Sequence, residues 1–180
     1  MTTFPIITLG QGAVSDPAWF ADITDSVNDH EERLDSLESQ VLTSSAQNTD
    51  PTTSRTTTSS GFTTTLSPAN ICGTAFVAPS SGKVLAIMRC TQANSVVNSA
   101  ITTYQICEGS VIDSGTIFQS ADDSRSLSTG STTFEGWGSV EYVSGLTPGA
   151  NYNIFLAHRV LGGGTMTVLR RTVGVVPLIV

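Results

Sequence analysis

A strict heptad spacing near the N-terminus most constrains what this chain can fold into. The spacing alternates steps of three and four residues, and its positions are Phe20, Ile23, Val27, His30, Leu34, Leu37 and Val41. Apolar residues repeating about every 3.5 positions form a narrow helical stripe that a lone helix cannot bury. An amphipathic helix of an ordinary bundle has similar spacing, but no other segment of this chain has the pattern of a partner helix. The seam therefore predicts a coiled coil of identical chains over residues 16–42.

A short motif inside the seam indicates three strands. Arg33, Leu34, Leu37 and Glu38 follow the order arginine, apolar, two free positions, apolar, glutamate, which resembles the trimerisation motif of many three-stranded coiled coils. Arg33 falls at a g position and Glu38 at the following e position, where side chains of neighbouring parallel helices meet. The sequence thus predicts a parallel homotrimer, with Arg33 and Glu38 in the interface beside the seam residues.

His30 is the polar member of the seam. At a d position of a trimer, three imidazoles would lie near one axis. Two roles fit this position: binding of a metal or anion on the axis, or a polar marker that sets the register at some cost in stability. The second role is favoured, and the sequence predicts no metal site and no cofactor.

The residues before the coil predict where the helix begins and what the N-terminal segment does. Asp16 and Pro17 are typical of a helix start, and so short a coil is marginal alone, so a downstream element should help to hold the trimer. Residues 1–15 are predicted to form an extended docking arm, because exposed apolar side chains are costly; a frayed terminus is the alternative. The predicted docking residues are Phe4, Ile6, Ile7, Leu9 and Val14.

After the coil the pattern changes to β structure. Ser and Thr dominate residues 43–65, which predicts a linker or a loosely held extended segment, with Phe62 to Leu66 opening the first strand. Short alternating runs separated by turn residues then predict an antiparallel β-sandwich over residues 66–180. The predicted strands are 74–78, 83–92, 99–107, 116–120, 132–142, 152–159 and 166–175. The fold class is therefore mainly β behind an N-terminal helix.

Three local patterns refine the sandwich. In the run from Val84 to Arg89, Val84, Ala86 and Met88 alternate with Leu85, Ile87 and Arg89. Some strands have apolar residues on both faces, which fits a sandwich whose outer face meets a neighbour. Residues 76–84, FVAPSSGKV, resemble the segment leading to the second strand of C1q and TNF-like jelly rolls, which form trimers around apolar inner strands. Residues 145–152, GLTPGANY, resemble a turn of fibronectin type III domains, where a Leu and a Tyr pack at a corner. The trimeric stalk favours the jelly roll, and an immunoglobulin or fibronectin-like sandwich is the alternative.

The net charge and the cysteines limit which partners and which cellular compartment the sequence predicts. The net charge of −7 argues against nucleic acid or an anionic membrane surface as a partner. No apolar stretch is long enough to span a bilayer, and no secretion signal is visible. Cys72, Cys90 and Cys107 form an odd set without C-x-x-C spacing and are predicted to be buried free thiols of a cytosol-made protein; a Cys90–Cys107 bridge is the alternative.

The search for chemistry finds few candidates. The sequence has no nucleophile elbow, phosphate-binding loop or H-E-x-x-H motif. Asp122 and Asp123 open an acidic cluster that a solvated loop explains better than a calcium site. Trp137, between two glycines, fits stacking on a sugar less well than packing on its own sandwich. The sequence therefore predicts a protein without catalytic residues that is not an enzyme.

The layout of arm, coiled coil, Ser/Thr-rich linker and β-sandwich resembles the fibre and decoration proteins of tailed bacteriophages. The segments SVNDHE at 26–31, VLGGG at 160–164 and LRR at 169–171 are similar to those of small virion proteins of actinobacterial phages. The resemblance implies a homotrimeric capsid decoration or head-fibre protein, made in the host cytoplasm and attached through its N-terminus to the major capsid protein or to tail proteins. A short tail fibre, or a module that binds a receptor or host surface glycan, is the alternative.

Overall fold

The computed structural model describes residues 25–34 and 46–178. Residues 25–34 form an α-helix, α1, that belongs to a unit separate from the β domain. The β domain contains β1 (Ala46–Asp50), β2 (Arg55–Thr57), β3 (Gly73–Val77), β4 (Lys83–Asn94), β5 (Ala100–Glu108), β6 (Ile117–Gln119), β7 (Leu127–Thr129), β8 (Glu135–Ser144), β9 (Asn151–Val160) and β10 (Met166–Pro177). The prediction of a mainly β chain is confirmed.

The strands form two antiparallel sheets that pack as a sandwich. Sheet A has the order β1-β10-β4-β8, with β2 also paired to β10, and sheet B has the order β3-β9-β5-β6, with β7 also paired to β5. The hydrophobic core lies between the two sheets. Every second residue of the long strands contributes its side chain to this core, because successive side chains of a β-strand point to opposite faces. Its central members are Val84, Met88, Tyr104, Ile106, Ile154, Leu156, Val168 and Val173.

The strand order separates the two sandwich folds that the sequence leaves open. Consecutive strands β3, β4 and β5 lie in sheets B, A and B, and β8, β9 and β10 lie in sheets A, B and A. Immunoglobulin-like sandwiches instead pair their first two strands within one sheet. With β1 and β2 taken as one edge strand and β6 and β7 as another, the order is consistent with an eight-stranded jelly roll.

Two turn motifs of the sequence have clear structural roles. Gly82 ends the turn after Pro79 with a φ of 63°, and a Cβ there would lie 2.4 Å from the carbonyl oxygen of Leu146, so only glycine fits. The backbone N–H of Thr147 donates to the hydroxyl of Tyr152 at 3.1 Å. Leu146 and Tyr152 are both buried in the core, although within a different strand order from that of fibronectin domains.

The Ser/Thr-rich segment differs from its prediction. It contributes β1 and β2, which pair with β10 from Ala46 opposite Val175 to Thr57 opposite Met166. The segment predicted to open the first strand forms no strand; Thr63 makes an isolated bridge to His158. A polar edge strand obtains its hydrogen bonds from its neighbour and needs no apolar pattern, so composition alone did not reveal β1 and β2.

Candidate functional site: a bare apolar sheet face

The outer surface of sheet A carries a continuous patch of apolar side chains, which we call the bare face. Val140 is 60% exposed and Tyr142 is 57% exposed. The strand register places Leu85 between Tyr142 and Val176, and places Ile87 beside Val140. The members of the bare face are Leu85, Ile87, Val140, Tyr142 and Val176. Single exposed apolar residues are common on proteins, whereas contiguous ones mark interaction surfaces.

The local sequence explains why this face forms. β4 alternates buried and less buried positions, so Val84 and Ala86 enter the core while Leu85 and Ile87 point outward. Beside Ile87, β10 has Gly174, and a Cβ there would lie 2.6 Å from the carbonyl oxygen of Ala46 on β1. The missing side chain helps to form a shallow depression of about 300 Å³ against the apolar patch.

A buried ion cluster joins β1 and β2 to β10 beside this sheet. One carboxylate oxygen of Asp50 accepts hydrogen bonds from Arg55 and from Arg171, each at 2.6 Å. Arg55 also donates to the carbonyl of Pro68, and Arg171 to Asn70. Burial alone would raise the pKa of the Asp50 carboxyl, but the hydrogen bonds and charges of the two arginines outweigh burial and lower it. The cluster thus stabilises the edge of sheet A.

A second polar network lies between the sheets. The hydroxyl of Thr102 lies 3.0 Å from Nδ1 of His158 and donates to Gln92 at 2.6 Å. Gln92 in turn donates to the carbonyls of Ala100 and Leu127. Burial lowers the pKa of His158 to about 3, with a smaller contribution from the charge of Arg171. A fully buried neutral imidazole has no access to a substrate, so this network orders the core rather than transferring protons.

The three cysteines are buried free thiols, as the sequence predicts. Burial raises the pKa of Cys72 and of Cys90 to about 11 each, which disfavours the reactive thiolate. Within residues 25–34 and 46–178, no group of three or more His, Cys, Asp or Glu side chains could hold a metal ion. In that same part of the chain, no helix is long and apolar enough to cross a membrane.

The sequence-predicted interface residues are described only in part. Val27, His30, Arg33 and Leu34 lie on α1 and are exposed in the single chain. His30 Nδ1 lies 2.7 Å from the carbonyl oxygen of Ser26, and Arg33 lies 4.0 Å from Asp29. The other interface residues, Phe20, Ile23, Leu37, Glu38 and Val41, lie outside the described residues, as do the docking residues Phe4, Ile6, Ile7, Leu9 and Val14. The coiled coil and the docking arm therefore remain predictions.

The structure also describes the other two candidate binding sites of the sequence, the acidic cluster and Trp137. Asp122 caps a 3₁₀ turn at Asp123–Arg125 by accepting from the N–H of Ser124, and Asp123 pairs with Arg159. The acidic cluster is thus engaged in loop contacts. Trp137 is 45% exposed, so it packs on its own sandwich only partly. Sequence reasoning missed Val140 and Tyr142, although the alternation of β8 places both beside the outward residues of β4.

No protein-family model matches the sequence, and no curated protein matches it. Among solved structures, the Eiger TNF of S. frugiperda is similar at 14% identity, with a TM-score of 0.41, covering 76% of this chain and 94% of that chain. The enzymatically active domain of tailspike protein 4 from bacteriophage CBA120 is similar at 12% identity, with a TM-score of 0.36. That match covers 76% of this chain and 20% of the tailspike chain.

Proposed function

We propose that this chain is a non-enzymatic structural virion protein, a homotrimeric capsid decoration or head-fibre protein attached through its N-terminal arm. The observation that carries the proposal is the bare face of sheet A. It presents five apolar side chains on three adjacent strands, without a charged member. The occupant we propose for this face is the same domain of the other two copies.

The heptad seam and the bare face support one another physically. A coiled coil of fewer than 30 residues gives little stability alone. Once the coil forms, however, it raises the effective concentration of the three sandwiches to roughly the millimolar range. A weak contact between apolar sheet faces is then sufficient to add to the stability of the trimer.

The placement on a virion rests on the sequence layout. A docking arm, a coil, a Ser/Thr-rich segment and a β domain follow one another as in the fibre and decoration proteins that the sequence resembles. The major capsid protein is the partner proposed for the arm, and a tail protein is the alternative partner.

Sedimentation equilibrium of the full chain tests the trimer. We expect a trimer mass across the micromolar range for the native sequence. Val140→Asp should shift the mass toward the monomer, because the assembled face would bury three carboxylates. The matched control is Val97→Asp, the same exchange at a loop residue that is 82% exposed, and it should stay trimeric. A native chain that stays monomeric across this concentration range would contradict the proposed trimer.

Attachment is tested separately by deleting residues 1–14. The truncated chain should keep the trimer mass but should fail to cosediment with particles that lack this protein. Leu34→Asp combined with Leu37→Asp is the complementary variant, since six carboxylates in the coil should dissociate the stalk. Cosedimentation of the truncated chain at the native level would show that the arm is not the attachment device.

One observation favours the alternative of a carbohydrate-binding sandwich. Phe134, just before β8, and Trp137, near the start of β8, are 54% and 45% exposed, and exposed aromatic faces suit sugar rings. Titration of the full chain with host surface glycans, followed by tryptophan fluorescence, tests it. A saturable change that is lost in Trp137→Ala would favour this function, and an unchanged spectrum would exclude the site at Trp137.

A further inference from the structure

A depression beside the β1 edge of sheet A contains two arginines and no carboxylate. Its volume is about 280 Å³, and its lining residues are Thr49, Pro51, Arg89, Arg170 and Thr172. Thr172 on β10 pairs with Thr49 on one side and with Arg89 on the other. Two hydroxyl groups and one guanidinium therefore form a row across three strands, and Arg170 adds a second guanidinium.

The backbone of β10 is distorted at Arg170. The register between β10 and β4 shifts between Leu169 and Thr172, and Arg170 has a φ of 52°. This conformation is uncommon for a residue with a side chain and costs free energy, and bulges commonly redirect side chains. As a result the consecutive arginines separate: Arg171 is buried against Asp50, whereas Arg170 is exposed and lines the depression.

Positive charge is concentrated around this bulge although the chain is acidic overall. Arg55 and Arg171 share the single carboxylate of Asp50, so the buried cluster keeps one excess positive charge. The Nε atom of Arg171 is buried without a hydrogen-bond partner. Arg89 and Arg170 form no ion pair with any residue in the described ranges. Four of the eight cationic residues of the chain therefore lie on β10 or on β2 and β4, the strands paired with it.

We propose that the depression binds an oxyanion of the phosphate or sulfate class between Arg89 and Arg170. The planar guanidinium fork matches the oxygen spacing of such anions, and charge-assisted hydrogen bonds are the strong ones. The hydroxyls of Thr49 and Thr172 supply additional donors at the same site. The excess charge of the Asp50 cluster adds long-range attraction. This site goes beyond the proposed trimer and does not require it.

The test is calorimetric titration of the full chain with inorganic phosphate at low ionic strength. We expect saturable binding of one phosphate per chain, with sulfate as a competitor. Arg170→Gln and Arg89→Gln should each weaken binding about tenfold or more, the effect of losing a hydrogen bond from a charged group. Both residues are exposed, so thermal melts should confirm that the variants fold.

Lys83→Gln is the matched control. Lys83 lies on the same strand and the same face as Arg89, six residues or roughly 20 Å away, and its loss changes the net charge equally. Phosphate affinity should stay within about twofold in this variant. Equal weakening by Lys83→Gln and Arg170→Gln would reduce the effect to general surface charge and overturn the proposal.

A second experiment distinguishes binding of a free anion from binding of a carboxylate that belongs to another copy of the chain. If Arg170→Gln lowers the mass in sedimentation equilibrium while the native chain binds no phosphate, a carboxylate of a second copy occupies the depression. That result would overturn the oxyanion site and leave the proposed trimer standing. Phosphate binding by a chain that sediments as a monomer would have the opposite meaning, supporting the site and not the trimer.

Discussion

The outer faces of the two sheets differ in what covers them. In sheet B, residues 152–158 of β9 are buried on both faces, and Phe155 is only 1% exposed although it points away from the core between the sheets. In sheet A, Val140 and Tyr142 occupy equivalent outward positions and are more than half exposed. Within residues 46–178, the chain therefore covers the outer face of sheet B with its own segments and leaves part of the outer face of sheet A uncovered.

One buried amide helps to hold the cover of sheet B in place. Nδ2 of Asn153 donates to the carbonyls of Gly109 and Ser114, each at 3.0 Å, and Oδ1 accepts from the N–H of Asp113 at 3.2 Å. These bonds hold the loop between β5 and β6 over the sheet. No comparable loop of the described residues lies over Val140, which is why we assign that face to intermolecular contact.

The largest expected effect tests the covered face directly. Phe155→Ala should lower the free energy of unfolding by about 3–5 kcal/mol, because it empties a large buried site. Val140→Ala on the bare face is the counterpart, and in the monomer it should stay within about 0.5 kcal/mol of the native value. Urea unfolding at two protein concentrations measures both variants.

Concentration dependence separates the two faces further. The effect of Phe155→Ala should be equal at both concentrations, whereas Val140→Ala should cost more where the trimer is populated. Similar losses for the two variants at the lower concentration would contradict the assignment of the bare face as solvent-exposed in the single chain.

The next largest effect is a pH dependence of stability that comes from His158, in the core between the two sheets. His158 stays neutral in the folded protein, with a pKa of about 3 against an ordinary 6.5, so below pH 6.5 the unfolded chain binds the additional proton. Stability is therefore full above pH 6.5 and falls by about 2 kcal/mol between pH 6.5 and 5. His158→Gln should flatten this part of the profile in urea titrations at pH 7 and 5.

Asp50 affects stability in a lower pH range than His158 does. Because the pKa of its carboxyl is lowered below the ordinary value of 3.8, the stability it provides is present above that pH and is lost only as the pH falls further. An acid transition that begins near pH 6.5 and persists in His158→Gln would have another origin. Neither loss should depend on protein concentration, in contrast with the loss of contacts at the bare face.

The smallest effect concerns thiol reactivity and leaves stability unchanged. Cys90 lies in the core and Cys107 lies on the covered face of sheet B, both buried. Alkylation with iodoacetamide should be slow in the folded chain and complete in urea. A cysteine introduced by Val140→Cys should react rapidly in the monomer and be protected in the trimer. Rapid labelling of Cys107 in the native chain would show that the loop opens readily.

Much of the sandwich was accessible from sequence. Seven predicted strands correspond to β3, β4, β5, β6, β8, β9 and β10, with bounds that differ by at most three residues. The misses are β1, β2 and β7, which are short, polar edge segments whose pairing partners lie far away in the chain. The candidate site was foreseen only on β4, because Gly136 and Gly138 interrupt the outward side of β8 and obscure its apolar residues.

The sequence by itself determined several turns, most of the strands and the alternation of faces along β4. These are local properties: alternation with period two separates Val84 from Leu85, and a left-handed turn selects Gly82. Only the tertiary structure decided which outward residues are covered. Phe155 and Tyr142 are both aromatic residues in apolar strands, and their burial depends on whether a distant loop folds over them. Asn153 helps to secure such a loop over sheet B, whereas no segment of the described residues covers Tyr142 on sheet A.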